Sequence, residues 1–317
     1  MSISNQPNRT RVVVTGASGF IGSWIARYLE SNDFEVVCLV RNGSDLSRLD
    51  KFNSLIVKID EKFWPDQIAK LKPEVLILAD WAGVAGANKN SLEQFDNVKR
   101  WCNLAEVSIV TKVKLVIALG SQAELGSSQI DANENHRMNP ITTYGEAKVQ
   151  AFHALSKILT GSSTKLSWVR LFSVYGPQNS DSWIIPNILK AIRLKQRLSL
   201  TSCEQSWNFL HVYDLSRLIK NIIVNSNPPN IINAAHPESR SLKRYIELIV
   251  KHLGGKEFLG FNELPDSDLT INLKPNTDLA MSLNWFPQVE WEVAITQIFG
   301  KKIENASFVY NEISNLG

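Results

Sequence analysis

The 317-residue sequence predicts an α/β fold, a doubly wound parallel sheet joined to a smaller C-terminal domain. Three observations carry that expectation. β-Branched and apolar runs alternate with segments of helical period from Arg11 to Leu171. The runs are apolar throughout rather than alternating, as strands covered on both faces must be. A glycine-rich turn separates the first run from the first helix.

The strands are expected at Arg11–Thr15, Glu35–Val40, Ser54–Asp60, Val75–Ala79, Leu115–Gly120 and Leu166–Leu171. Helical spacing covers Phe20–Leu29, Leu92–Val110 and Thr142–Leu159. After Leu171 the segments shorten and prolines become frequent, with one further helix at Val212–Asn225 and a strand at Ile231–Ala234. The expected division is therefore a sheet domain of residues 9–175 plus about 208–235, and a second domain of about 176–207 plus 236–317. The cleft between them is the default ligand site.

Apolar residues make up 44% of the chain and charged residues 21%, the balance of a globular protein. A formal charge of +3, without a run of like charges, gives no reason to expect nucleic acid. No stretch reaches the ~18 apolar residues that a membrane span needs, and Met1–Arg9 has no apolar core like that of a secretory signal. Cys38, Cys102 and Cys203 form no close pair, so neither zinc nor a disulfide framework is expected. A cytoplasmic location is the expectation.

Val12 to Gly22 reads as strand, turn and helix start, with glycines at 16, 19 and 22. Gly16 permits a tight turn, Gly19 lets the backbone approach a pyrophosphate, and Gly22 lets helix and sheet pack closely. The context of strand before and helix after makes this a dinucleotide-binding loop, of the Rossmann type. At the end of the second strand, a carboxylate would bind the adenosine ribose of NAD and repel a 2′-phosphate. This chain instead offers Arg41 and Ser44, a cation and a hydroxyl suited to that phosphate. NADPH is therefore favoured over NAD. Asp45 is expected to cap the following helix.

Tyr144 and Lys148 are four residues apart and share one helix face. An adjacent ammonium is expected to lower the phenol pKa and help it exchange a proton with a substrate oxygen. Ser121, at the end of the fifth strand, suits a hydrogen bond to the reacting carbonyl.

The G-x-x-G-x-x-G spacing with Ser18-Gly19-Phe20-Ile21-Gly22 resembles the short-chain dehydrogenase/reductase superfamily. Its extended subgroup, the NAD-dependent epimerase/dehydratase family, is matched over nearly the whole chain. Pro140 to Gly145 looks like its active-site helix start, Arg170 to Pro177 like the segment under the nicotinamide, and Trp207 to Asp214 like the return to the main domain. The resemblance implies Ser121, Tyr144 and Lys148 as the catalytic set. It places the cofactor on Gly16, Ser18, Gly19, Phe20, Ile21 and Gly22, with Arg41 and Ser44 beside the ribose and Asp60 beside adenine. Ala79, Lys148, Phe172 and Val174 complete that contact. It implies that Asn97 braces the site, that His211 is structural, and that helices 92–110 and 142–159 form a homodimer seam.

Substrate contacts implied by the resemblance are Trp81, Gln122, Ala123, Ser173, Trp183, Ile185 and Asn187, for a CDP- or dTDP-linked sugar. Dehydratases of the subgroup carry an Asp-Glu pair where this chain has Gln122-Ala123. Gly120 to Gly126 looks most like the 4-ketoreductases of 6-deoxyhexose nucleotides, the CDP-abequose and CDP-paratose synthase kind. Leu125 replaces their usual tyrosine, and Asp80-Trp81 replaces small residues after the fourth strand. The expected reaction is NADPH-dependent reduction of a C4 carbonyl. The alternatives are an NAD-dependent 4-epimerase, a reductase of flavonoid-like or aldehyde substrates, and a non-catalytic NADPH-binding sensor. Sensors commonly lose the tyrosine or lysine, and both are present.

Overall fold

The computed structural model describes residues 9–315, apart from 51, 85, 181, 267–270, 300–310 and 314. Seven strands form one sheet: β1 (Arg11–Thr15), β2 (Glu35–Val40), β3 (Leu55–Lys58), β4 (Val75–Leu78), β5 (Leu115–Ser121), β6 (Lys165–Leu171) and β7 (Ile231–Ala234). Their spatial order is β7-β6-β5-β4-β1-β2-β3, and every pairing is parallel. All seven lie where the apolar runs place them. The order reverses between β1 and β4, which opens a crevice at their C-terminal ends.

Helices α1 (Phe20–Glu30), α2 (Trp64–Leu71), α3 (Gln94–Val110), α4 (Thr143–Leu159), α5 (Ile184–Leu194) and α6 (Val212–Val224) follow in chain order. One sheet face is covered by α1 and α6, whose Ile25, Leu29, Leu218 and Ile222 pack with Val12, Val14 and Ile117. The other is covered by α2, α3 and α4, with Trp101, Leu104, Ala151 and Leu155 against Val13, Leu76 and Val116. Each fully buried aliphatic side chain contributes about 1.5–3 kcal/mol.

Two helix starts differ by little from the sequence pattern. Thr142 lies outside α4 as its cap, its hydroxyl accepting from the Gly145 amide. Leu92 also lies outside α3 and is 78% exposed. Asp45 accepts from both the amide and hydroxyl of Ser47, but Leu46 holds the cap position of the short turn Ser47–Leu49 and no side chain caps it, so the expected capping role of Asp45 is not found.

A separate core gathers Ile185, Ile188, Leu189, Tyr245, Ile246, Ile249, Trp291 and Ile295. It includes Trp24 and Tyr28 of α1, so the smaller lobe packs directly on the first helix. A short strand pair, Ser173–Tyr175 with Phe209–His211, links the lobe to the end of β6. His211 is buried, with its Nδ1 accepting from the Tyr213 amide at the start of α6. Burial lowers its pKa to about 3, so it is neutral. Cys38 and Cys203 are buried and Cys102 is half-buried; burial raises all three thiols, so none is poised as a thiolate. Among the described residues, no helix is long and apolar enough to cross a membrane, and no group of three or more His, Cys, Asp or Glu is placed to hold a metal.

Candidate active site

The glycine turn sits at the β1–β4 crevice. Gly16 has φ +65°, and a Cβ there would lie 2.6 Å from the Ala79 carbonyl oxygen. A Cβ on Gly22 would lie 2.4 Å from the Gly16 carbonyl oxygen. Both glycines are thus required by close backbone approach. Gly19 is exposed and caps α1 without a side chain, so the helix N-terminus at Phe20 and Ile21 is open to an anion. The donor set and the bare turn fit the pyrophosphate of a dinucleotide.

Beyond the C-terminal ends of β2, β3 and β4 the side chains form a chain of charges. Arg41 is 62% exposed, with Nε 3.7 Å from Glu61 Oε1. Glu61 also faces Arg100, whose Nε lies 2.6 Å from Asp80 Oδ2. Asp80 is further held by the Thr15 hydroxyl at 2.5 Å and Trp101 Nε1 at 3.0 Å. Ser44 follows the turn in which its amide donates to the Arg41 carbonyl, and Asp60 accepts from Asn42. Arg48, which the sequence reading did not single out, reaches across the glycine turn to the Ser18 carbonyl at 3.5 Å and the Gln178 carbonyl at 3.2 Å. It is a second cation at this end of the crevice.

Ser121 ends β5, and Tyr144 and Lys148 project from the first turns of α4, so the three converge at the C-terminal edge of the sheet. Burial pushes the Tyr144 phenol up to about 12, against the lowering influence of the neighbouring Ser121 side chain. The expected lowering by the neighbouring ammonium is not seen. Lys148 Nζ donates instead to the Leu119 carbonyl at 2.6 Å, and sits 3.7 Å and 4.4 Å from the ring centres of Trp81 and Trp101. It is 5.8 Å from the Tyr144 ring centre. Burial lowers Lys148 to about 7, opposed first by Glu124 and then by Asp80. A phenol this high keeps its proton at neutral pH, so the arrangement can donate one.

Trp81 stands edge-on to Tyr144 at 6.2 Å, its indole N–H bonded to Gln94 at 2.7 Å. Asn97 accepts from the Ala82 amide and from Arg100, bracing the loop after β4. Gln122 and Ala123 form the half-buried turn beyond Ser121. Phe172 is buried, whereas Ser173 and Val174 are half-buried at the lobe junction. Trp183 is 41% exposed beneath the Lys89 ammonium, 5.3 Å away, so it bridges the lobe to the loop after β4. Asn187 is half-buried one turn on. Ile185 is 1% exposed and packs into the core of the smaller lobe, leaving its side chain no open surface.

The sequence model of the NAD dependent epimerase/dehydratase family matches residues 12–235. The chain is 25% identical, over 248 residues, to the dTDP-6-deoxy-L-talose 4-dehydrogenase (NAD(+)) of Aggregatibacter actinomycetemcomitans, covering 76% of this chain and 90% of that protein. Its fold is similar to that of the UDP-glucose 4-epimerase of Thermotoga maritima solved with UDP-glucose, with a TM-score of 0.81, 19% identity and coverage of 92% and 97% of the two chains. The Bordetella bronchiseptica enzyme WbmG in complex with NAD is similar in fold at a TM-score of 0.78 and 17% identity, covering 93% and 94%.

Proposed function

This chain belongs to the NAD-dependent epimerase/dehydratase family, and on that premise we propose that it reduces the C4 carbonyl of a nucleotide-linked 4-keto-6-deoxyhexose. The observation that carries the reading is the convergence of Ser121, Tyr144 and Lys148 at the C-terminal edge of the sheet without an acid and base pair in the turn beyond the serine. Dehydration requires a carboxylic acid and base beyond the serine, and Gln122-Ala123 supplies neither. The nearby Glu124 is fully buried and bonded to Arg170. The relative that acts as a dTDP-6-deoxy-L-talose 4-dehydrogenase supports oxidoreduction at this carbon.

When bound, the nicotinamide cofactor supplies the hydride. Ser121 stabilises the carbonyl oxygen and Tyr144 gives its proton to the developing alkoxide, while Lys148, buried against Leu119 and the indole rings rather than open to the ribose as expected, supports Tyr144 from within. The glycine turn and the α1 N-terminus hold the pyrophosphate. Trp81, Gln122 and Ala123 bound the sugar, while Trp183 and Asn187 of the smaller lobe, residues about 176–207 plus 236–317, hold the nucleotide.

NADPH is the preferred form in this reading because Arg41 and Arg48 flank the adenosine end. Both the talose dehydrogenase and WbmG are NAD proteins by name, so this preference is specific to the present chain's arginines. Replacing Arg41 by Asp is expected to raise the Michaelis constant for NADPH at least tenfold while changing that for NADH by less than threefold, since a charge-assisted phosphate contact is worth about 1.5–3 kcal/mol. Equal movement of the two constants, measured by steady-state kinetics, contradicts the assignment of Arg41.

A 4-epimerase is the second reading, favoured by the similarity in fold to the UDP-glucose 4-epimerase. An epimerase returns its hydride and retains its cofactor. The purified protein, denatured and analysed for released nucleotide, is expected to yield well under one equivalent of NAD. Stoichiometric NAD moves the assignment to the epimerase.

A further inference from the structure

Asp80 and Trp81 follow β4 in place of the small residues expected there. Trp81 donates its indole N–H to Gln94 Oε1 at 2.7 Å. Gln94, buried at the start of α3, gives its own amide hydrogens to the Gly83 and Asn88 carbonyls, so its oxygen is left to face the indole. Trp101, fully buried on α3, donates to Asp80 Oδ1 at 3.0 Å, and Asp80 is itself fixed by Thr15 and Arg100. The two rings stand almost perpendicular, at 85°, with their centres 4.8 Å apart. Each indole spends its single donor on a fixed acceptor and keeps its face free.

Both faces are turned to one ammonium. Lys148 Nζ lies 3.7 Å from the ring centre of Trp81 and 4.4 Å from that of Trp101. Among the described residues its one hydrogen bond goes to the Leu119 carbonyl at 2.6 Å. No carboxylate among them pairs with it, since Asp80 is bound to Arg100 and Glu124 to Arg170. Burying an ammonium is costly unless its lost water is replaced. A ring face within about 6 Å attracts a cation, indole most strongly, and more so where water is excluded. Lys148 is 2% exposed, so this one does not reach the crevice.

We propose that Trp81 is a positioning residue, completing with Trp101 an aromatic cage that holds the Lys148 ammonium on the Leu119 carbonyl beside Tyr144. The Tyr144 ring centre is 5.8 Å from Nζ, and the phenol stands edge-on to Trp81 at 6.2 Å. From this fixed place Lys148 acts on Tyr144 as a charge rather than through a bond to a ligand. The consequence for turnover rests on the reductase reading; the cage does not. Weakening the attraction of the ring destabilises the ammonium and lowers its pKa. The alkaline limb of a reaction that needs the ammonium moves to lower pH with it.

The test weakens that attraction while keeping the shape of the cage. In the full-length, cofactor-free protein, Trp81 is replaced by tryptophan analogues carrying one, two and three ring fluorines. Fluorine draws electron density from the ring face and leaves the ring nearly unchanged in size. Lysine is labelled with ¹³C at Cε, the Lys148 signal is assigned with Lys148→Met, and its titration is followed by NMR. The other charged and titratable groups around Nζ are the same throughout the series: Asp80 with Arg100, Glu124 with Arg170, and the Tyr144 phenol. The midpoint is expected to fall with each fluorine, by about half a unit or more over the series, as for the loss of much of a desolvated cation–π contact. An unmoved midpoint overturns the proposal and leaves Trp81 as a wall of the sugar pocket. The unmodified protein gives a second check, because ring currents should carry the Lys148 ε-methylene protons well upfield of those of the other lysines. A Lys148 signal among the others overturns the cage. If the midpoint falls as expected while no 4-keto-sugar nucleotide is turned over, the reductase reading fails and the role of Trp81 stands.

Discussion

Tyr144→Phe is expected to lower kcat for carbonyl reduction by ~10²–10⁴-fold, the usual contribution of a positioned general acid. The phenyl ring can keep the edge-on contact with Trp81, and the capped start of α4 is untouched. What is lost is the hydroxyl beside Ser121 and the proton it carries. Cofactor affinity should change by less than about threefold, because the glycine turn and the α1 N-terminus remain. The pH profile adds a sign. Tyr144, pushed up to about 12, stays protonated through neutrality, whereas Lys148 near 7 loses its charge as pH rises. Wild-type turnover should therefore fall on the alkaline side of about 7. Activity of the phenylalanine variant within tenfold of wild type, in single-turnover kinetics, contradicts the proton-donor role.

The sheet was legible because all its strands but the edge strand β3, whose Leu55 is 54% exposed, are buried on both faces and written as continuous apolar runs bounded by turn or helix signals. Val12–Val14 and Val75–Leu78 are almost wholly excluded from solvent, and no other arrangement hides such segments. The glycine turn was legible for a different reason, since backbone approach at 2.4–2.6 Å leaves no alternative residue at 16 or 22.

The charge chain was not legible. Asp80 meets Arg100 across 20 residues and Glu124 meets Arg170 across 46, and neither separation follows a helical or strand period. Asp80 was visible only as a departure from small residues after the fourth strand. Glu124 was hidden because a serine followed three residues later by glutamate reads as a capping box, which it is, without revealing that the carboxylate is buried. The expected influence of Lys148 on Tyr144 followed from helical spacing. The structure turns the ammonium toward Leu119 and the indole rings, because burial rewards contact with a carbonyl and aromatic faces. The short strands Ser128–Ala132 and Asn272–Pro275, which pair with each other outside the main sheet, also carry no pattern strong enough to read.

The central claim is that this site delivers hydride to a sugar carbon and a proton from Tyr144 to its oxygen. It is tested most directly by supplying a dTDP- or CDP-linked 4-keto-6-deoxyhexose with NADPH deuterated on the transferred face. The account predicts one NADPH oxidised per sugar reduced, and deuterium at C4 of a stereochemically single product. Cofactor-independent interconversion of C4 epimers without incorporated label would contradict it, as would formation of the keto-sugar from its parent hexose by the protein alone.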